Sequence, residues 1–188
     1  MCIRDSDSDD DTDLNNDDDP DNDTGDEDDP TLLPIPEIAV TKAVVGGQEL
    51  PNGNYLIEFE FIVENTGNVD LINLSLLDPL IFGPTLTATP MVTVMNISAT
   101  NPPLVNPVYD GTIDVNLLAG SAADQLQAGE QFKVILKTEV DIAAFAALAQ
   151  PVENQAIANG DDPNGNTVED TSDAVSYTHL TLPTIYSV

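Results

Sequence analysis

Positive charge is what this chain has least of. Against 34 Asp and Glu residues it carries 4 Lys and Arg, a formal net charge of -30 over 188 residues. Such a surface repels phosphate backbones and anionic headgroups, which excludes nucleic acid and anionic lipid as partners. Trp is absent and aromatics make up 5% of the chain. The apolar content therefore rests on Val, Ile, Leu, Ala and Thr, a composition that suits thin sandwich sheets better than a deep enzyme core. The lone cysteine, Cys2, allows no internal disulfide and leaves the redox compartment open. The longest apolar run, 142–149, is far short of the ~20 residues of a membrane helix. No basic n-region and apolar h-region open the chain, so no signal peptide is read. The G-x-S-x-G, H-E-x-x-H, P-loop and dinucleotide fingerprints are missing as well, and the expectation is that the chain is not an enzyme.

What is abundant is acid, and about half of the imbalance is packed between Asp5 and Asp29. Residues 7–35 read as a disordered acidic linker, because so few apolar side chains cannot offset an ordering entropy of about 1–2 kcal/mol per residue. Pro30, Pro34 and Pro36 stiffen its end. The two extremities look foreign. MCIRDS at 1–6 and VSYTHLTLPTIYSV at 175–188 resemble translated sequencing-adapter read-through, and both are set aside from fold reasoning. Arg4 and His179, which would otherwise invite a catalytic reading, go with them. The natural protein is then expected to continue past both ends.

Between these segments, residues 36–174 read as one domain. Tyr55, Ile57, Phe59, Phe61 and Val63 alternate with Leu56, Glu58, Glu60, Ile62 and Glu64, the period of a half-buried strand. The run breaks at Asn65-Thr66-Gly67-Asn68 and resumes towards Leu76, which predicts a hairpin turning at a Gly67 of positive φ. Its three Glu residues read as charge on an exposed face that discourages edge pairing. Ile38, Val40 and Lys42 alternate along a first strand over 38–44. Further strands are expected at 91–98, 111–115, 131–140, 152–158 and 167–174, with one or two helical turns in 142–149. Seven or eight short strands separated by turn signals predict an all-β, immunoglobulin-like Greek-key β-sandwich.

The ordered set ENTGNVDLINLSLLDPL, NPVYDGTIDVNLLAG, LQAGEQF and VENQAIANGDDPNGNTVEDTSDA resembles the bacterial conserved-repeat domain found in tandem arrays of large surface and secreted proteins. The resemblance covers about Ile38 to Ala174. It implies an extracellular or cell-surface sandwich serving as a structural spacer or adhesin-like stalk repeat, with neighbouring repeats of the same chain as partners and no catalytic residues. The alternatives are a module that binds a surface glycan or protein, for which only Phe82 and Tyr109 stand as loop aromatics, and an accessory domain of a secreted enzyme.

No cofactor is required by this reading, but Ca²⁺ is the sharpest chemical candidate. Asp17, Asp19, Asp21 and Asp23 offer hard oxygen ligands at alternate positions ahead of Gly25. The EF-hand pattern is nevertheless broken, since Gly25 comes one residue late from Asp19 and Pro30 stands where the bidentate Glu belongs. A second group, Asp161, Asp162, Asp170 and Asp173, could clamp an ion at an interdomain joint, although Asp-Pro and Asn-Gly are also ordinary turn formers. The solvated-linker reading expects no saturable heat when Ca²⁺ at millimolar concentration is titrated calorimetrically into the chain. Saturable heat would replace it with the calcium reading.

Overall fold

The computed structural model describes residues 33–121, 123–148 and 151–177. Ten strands form antiparallel sheets: β1 (Ile38–Glu49), β2 (Tyr55–Asn65), β3 (Leu71–Leu77), β4 (Met91–Asn96), β5 (Gln125–Leu126), β6 (Gln131–Val140), β7 (Val152–Asn154), β8 (Ile157–Asp161), β9 (Thr167–Thr171) and β10 (Val175–Tyr177). One sheet runs β1-β2-β6-β4, a second β5-β3-β8-β9, and β10 with β7 makes a two-stranded third. The described residues form an immunoglobulin-like β-sandwich, with ten strands where seven or eight were expected.

β2 and β6 alternate almost perfectly. Ile57, Phe59, Phe61 and Val63 face inward beside Phe132, Val134, Leu136 and Val140, while Glu58 and Glu60 face outward onto Lys137 and Lys133 at 2.9 and 2.8 Å. Period two sends these residues to opposite faces. β2 lies between β1 and β6, so its Glu residues do not guard an edge. Glu58 and Glu60 make cross-strand ion pairs on the sheet's outer face.

The expected hairpin does not form. β2 already has a partner on each side, and β3 pairs instead with β5 and β8 in the other sheet. Residues 65–70 carry the chain from one layer to the other. Asn65 is buried there and donates through Nδ2 to the carbonyls of Val69 and Leu126, both at 2.8 Å. Gly67 does not adopt positive φ; its requirement is space, because a Cβ would run into the backbone of Ile35 and Glu37. Across the gap β3 bulges between Ile72 and Ser75, with Asn73 at φ 53°. The extra residue shifts the strand's phase, so Leu71, Leu74 and Leu76 all enter the core.

Phe59 stacks on Phe82 with ring centroids 6.1 Å apart, and Phe82 meets Phe145 at 5.6 Å. Phe145 comes from the single-turn helix α1 (Ile142–Ala146), capped by Asp141, whose Oδ1 accepts from the Ala144 amide at 2.7 Å. Phe82 and Tyr109, expected on the surface as binding aromatics, are 0% and 2% exposed. Residues 111–115 are not a strand: Asp110 Oδ1 gathers the amides of Thr112, Ile113 and Asp114 into a turn. Residues 152–158 divide into β7 and the start of β8, and Val175, in the segment set aside as foreign, pairs with Asn154 in the β10–β7 ladder.

Gly67→Ala is expected to destabilise the chain by about 1–3 kcal/mol through overpacking, measured as a drop in the urea unfolding midpoint. An unchanged midpoint would contradict the crossover contact.

Candidate functional site

The alternation that puts Ile38 and Val40 in the core also puts Lys42 there, directly opposite Phe61 in the β1–β2 register. An aliphatic stem fits such a position; an ammonium does not unless it is paired. Asp78, the first residue after β3, supplies the partner. Lys42 Nζ lies 2.6 Å from Asp78 Oδ1, and both side chains are 0% exposed. Asn154, the last residue of β7, donates from Nδ2 to the same oxygen at 3.1 Å. The amine sits 5.1 and 5.2 Å from the ring centres of Phe59 and Phe61, close enough for a cation–π contribution whenever it is charged.

Asp78 is itself held at three points. Its amide donates to the Val115 carbonyl at 2.8 Å, its carbonyl accepts from the Tyr109 hydroxyl at 3.0 Å, and its Oδ1 takes both side-chain donors. The other carboxyl oxygen, Oδ2, is buried with no hydrogen-bond partner. An ionised carboxylate would leave that oxygen unsatisfied at considerable cost. Burial pushes the Asp78 carboxyl well above the usual range, against the opposing pull of Lys42 and Asn154. Burial likewise pushes the Lys42 amine down, against the opposing pull of Asp78. Both shifts favour the same proton transfer, from ammonium to carboxylate, which leaves a neutral amine beside a neutral acid. Tyr109 is also pushed up by burial and stays a protonated donor. The arrangement is therefore a sealed amine, carboxyl and carboxamide drawn from β1, the end of β3 and β7.

None of these residues was a candidate in the sequence. The signal for Lys42 was present, since it shares the phase of Ile38 and Val40. Asn154 has the same kind of signal, being buried two residues from buried Val152 and Ala156. Asp78 had none: Asp78-Pro79 reads as an ordinary chain break.

Asp17, Asp19, Asp21 and Asp23 lie outside the described residues. The second carboxylate group divides into two pairs. Asp161 accepts from Thr167 and Asn73 at 2.6 and 3.0 Å, and Asp162 accepts from the amides of Asn164 and Asn166, both at 2.8 Å. Asp170 and Asp173 lie at the other end of β9, lining a hollow of about 290 Å³ beside β1, where Asp170 Oδ2 accepts from the Val40 amide at 2.7 Å. Among the described residues no three His, Cys, Asp or Glu side chains are grouped so as to hold a metal ion.

No family model matches the sequence, and no curated protein matches it. Solved structures similar to part of it include the full-length major pilin SpaD from Corynebacterium diphtheriae, at 13% identity and a TM-score of 0.48, covering 74% of this chain and 34% of the pilin. A variant of BcpA, the major pilin subunit of Bacillus cereus, aligns at 15% identity and a TM-score of 0.42, covering 74% of this chain and 40% of that one. Domains D2 and D3 of SpaD align at 12% and 0.44, over 76% of this chain and 51% of theirs. The chain thus spans about a third to a half of the length of these pilin chains.

The loop carboxylates make a pH prediction. Asp110 is held below the usual carboxylate range first by the Thr112 amide, Asp161 by the Thr167 hydroxyl and Asp162 by the Asn166 side chain. A depressed folded-state pKa adds stability above the unfolded value, about 3.9 for Asp, and that stability is lost as pH falls through the lower folded value. The urea midpoint is expected to fall as pH is lowered from about 5 to about 3, with or without a chelator. A midpoint that depends on the chelator instead would indicate an ion at these residues.

Proposed function

We propose that the chain is a load-bearing module of a bacterial surface or secreted protein, one repeat of a stalk that holds a distal head away from the cell. The observation that carries this reading is the buried Lys42–Asp78–Asn154 centre. It fastens the first strand to the far end of β3 and to β7, so β1 cannot be peeled from the sandwich without breaking a buried polar contact. β1 is also the strand through which tension from the linker enters, and it pairs with β2 from Ile38↔Asn65 to Glu49↔Tyr55. Load along this ladder acts on many hydrogen bonds together rather than on one at a time.

The same centre argues against an enzyme that acts on outside substrates. Its amine and carboxyl have no exposed surface, so a foreign substrate has nothing to approach. The strongly acidic surface suits an extracellular setting, in which salt screens self-repulsion over about 8 Å and the linker holds neighbouring repeats apart. The order of motifs, which resembles that of the conserved-repeat domain, supports the same role, with neighbouring repeats as the natural partners.

One observation favours a second reading, a module that binds a glycan or protein. On the loop between β4 and β5, Leu104, Val108 and Ile113 are exposed, Ile113 by 92%. A glycan and matrix-protein array separates the two: the stalk predicts no saturable binding by the chain, and reproducible saturable binding would favour the module. The mechanical claim has its own test. Pulled from both ends by single-molecule force spectroscopy, the chain is expected to unfold at a higher force than its Lys42→Met variant. Equal forces would contradict a load-bearing centre.

A further inference from the structure

Around one oxygen, Asp78 Oδ1, the fold gathers a primary amine at 2.6 Å and a carboxamide nitrogen at 3.1 Å. Lys42 Nζ and Asn154 Nδ2 therefore cannot be farther apart than those two contacts laid end to end. Amine and carboxamide are the two halves of an amide exchange, and the carboxyl that touches both is a proton carrier with one unpartnered oxygen. We propose that the folded chain joins Lys42 Nζ to Asn154 Cγ in a permanent amide, with Asp78 as the catalytic acid and base and ammonia as the leaving group. The proposal rests on the same centre as the load-bearing role and deepens it, turning a buried contact into a covalent tie between β1 and β7.

The chemistry balances without any added reagent. The neutral Lys42 amine attacks Asn154 Cγ while the Asp78 carboxyl gives its proton to the carbonyl oxygen, forming a tetrahedral centre. Asp78, now a carboxylate, takes the surplus proton from the attacking nitrogen and passes it to the departing –NH₂. As the C–N bond to that group breaks, the hydroxyl proton returns to Asp78 and the C=O bond reforms. A primary amine and a carboxamide become a secondary amide and NH₃, nothing is oxidised or reduced, and Asp78 ends as it began. Each requirement is met by an observed feature. Burial disfavours the ammonium, which cannot act as a nucleophile, and disfavours the carboxylate, which cannot act as an acid. Three fixed strands hold the reacting groups together, replacing an encounter in solution with an intramolecular one. The Phe59 and Phe61 rings beside the amine keep competing solvation away from it.

The contacts also explain why Asn154 is the acceptor and Asp78 the shuttle. Asp78 touches both other groups, whereas the path between amine and carboxamide runs through it. The reaction depends on folding, because Lys42 and Asn154 come from distant parts of the chain and meet only across the assembled sheets.

The test is the intact mass of the full chain, purified folded and then denatured, with peptide mapping after digestion. The wild-type chain is expected to be lighter than its sequence mass by one ammonia, about 17 Da, and to give one branched peptide containing both Lys42 and Asn154. Lys42→Arg, which keeps a nitrogen donor beside Asp78 but lacks the primary amine, is expected at its full sequence mass with an unchanged far-UV spectrum. Asp78→Ala and Asn154→Ala are also expected at full mass. A folded wild-type chain at its full sequence mass would overturn the proposal. So would an ammonia loss mapped to a succinimide at Asn52 or Asn164, or a loss of water, about 18 Da, joining Lys42 to Asp78. A full-mass chain that still unfolds at a higher force than Lys42→Met would overturn the amide alone and leave the load-bearing role standing.

Discussion

The interior of this sandwich is organised around a charge that does not belong there. Moving an ammonium or a carboxylate out of water costs several kcal/mol per ion even after relaxation, and Lys42 and Asp78 have no exposed side-chain surface at all. The fold meets that cost by bringing the two together and adding the Asn154 amide to the same oxygen. Burial also favours proton transfer within the pair, since a neutral amine and a neutral acid are far easier to bury than two ions. A centre of this kind stabilises only while it is complete, because removing one member strands the other.

Much of the surrounding architecture serves to complete it. β1 must run with Ile38, Val40 and Lys42 on its inner face, and its register with β2 places Lys42 opposite Phe61. The end of β3 must arrive at the same depth, which the bulge between Ile72 and Ser75 arranges by bringing Leu74 and Leu76 back into the core before Asp78. The long loop after β4 then folds over this point. Tyr109 from that loop donates to the Asp78 carbonyl, and Asn116 accepts from the Leu76 amide at 3.1 Å. A segment whose Pro102, Pro103 and Pro107 mark it in sequence as a loop or edge segment thus holds the acid in place. β7 is short and pairs only with β10 within the sheets, so Asn154 gives this otherwise lightly held strand a second anchor in the core.

The sequence made individual strands legible and their pairing illegible. β6 lies where its alternation puts it, at Gln131–Val140, because period two with one buried face leaves little freedom in register. The turn at Asn65-Thr66-Gly67-Asn68 was equally visible, but a turn cluster does not say whether the chain comes back beside itself or crosses to the opposite layer. That choice depended on β2 having its two edges filled by β1 and β6, and β6 is remote in the chain. Phe82 and Tyr109 were misplaced for a related reason: neighbouring Gly and Pro residues mark a loop, and the packing of that loop onto the core is a tertiary event. Of the centre itself Lys42 and Asn154 left a trace, each in phase with apolar neighbours. Asp78 is an unremarkable residue in ordinary surroundings until the sheets assemble, and the chemistry exists only in their meeting.

If Lys42 is bonded to Asn154, tension that enters at β1 passes across to β7, and the core between them is relieved of it. If it is not, the same centre is a non-covalent clasp whose strength is limited by how easily its groups can be rehydrated. Nitrogen NMR of the folded chain with ¹⁵N-labelled lysine side chains separates these states at the atom in question. The account predicts that Lys42 Nζ appears as a secondary amide bearing one proton and coupled to the carboxamide carbon of Asn154, Cγ. A Lys42 signal from an exchanging ammonium, like those of Lys133 and Lys137 on the outer face, would contradict it.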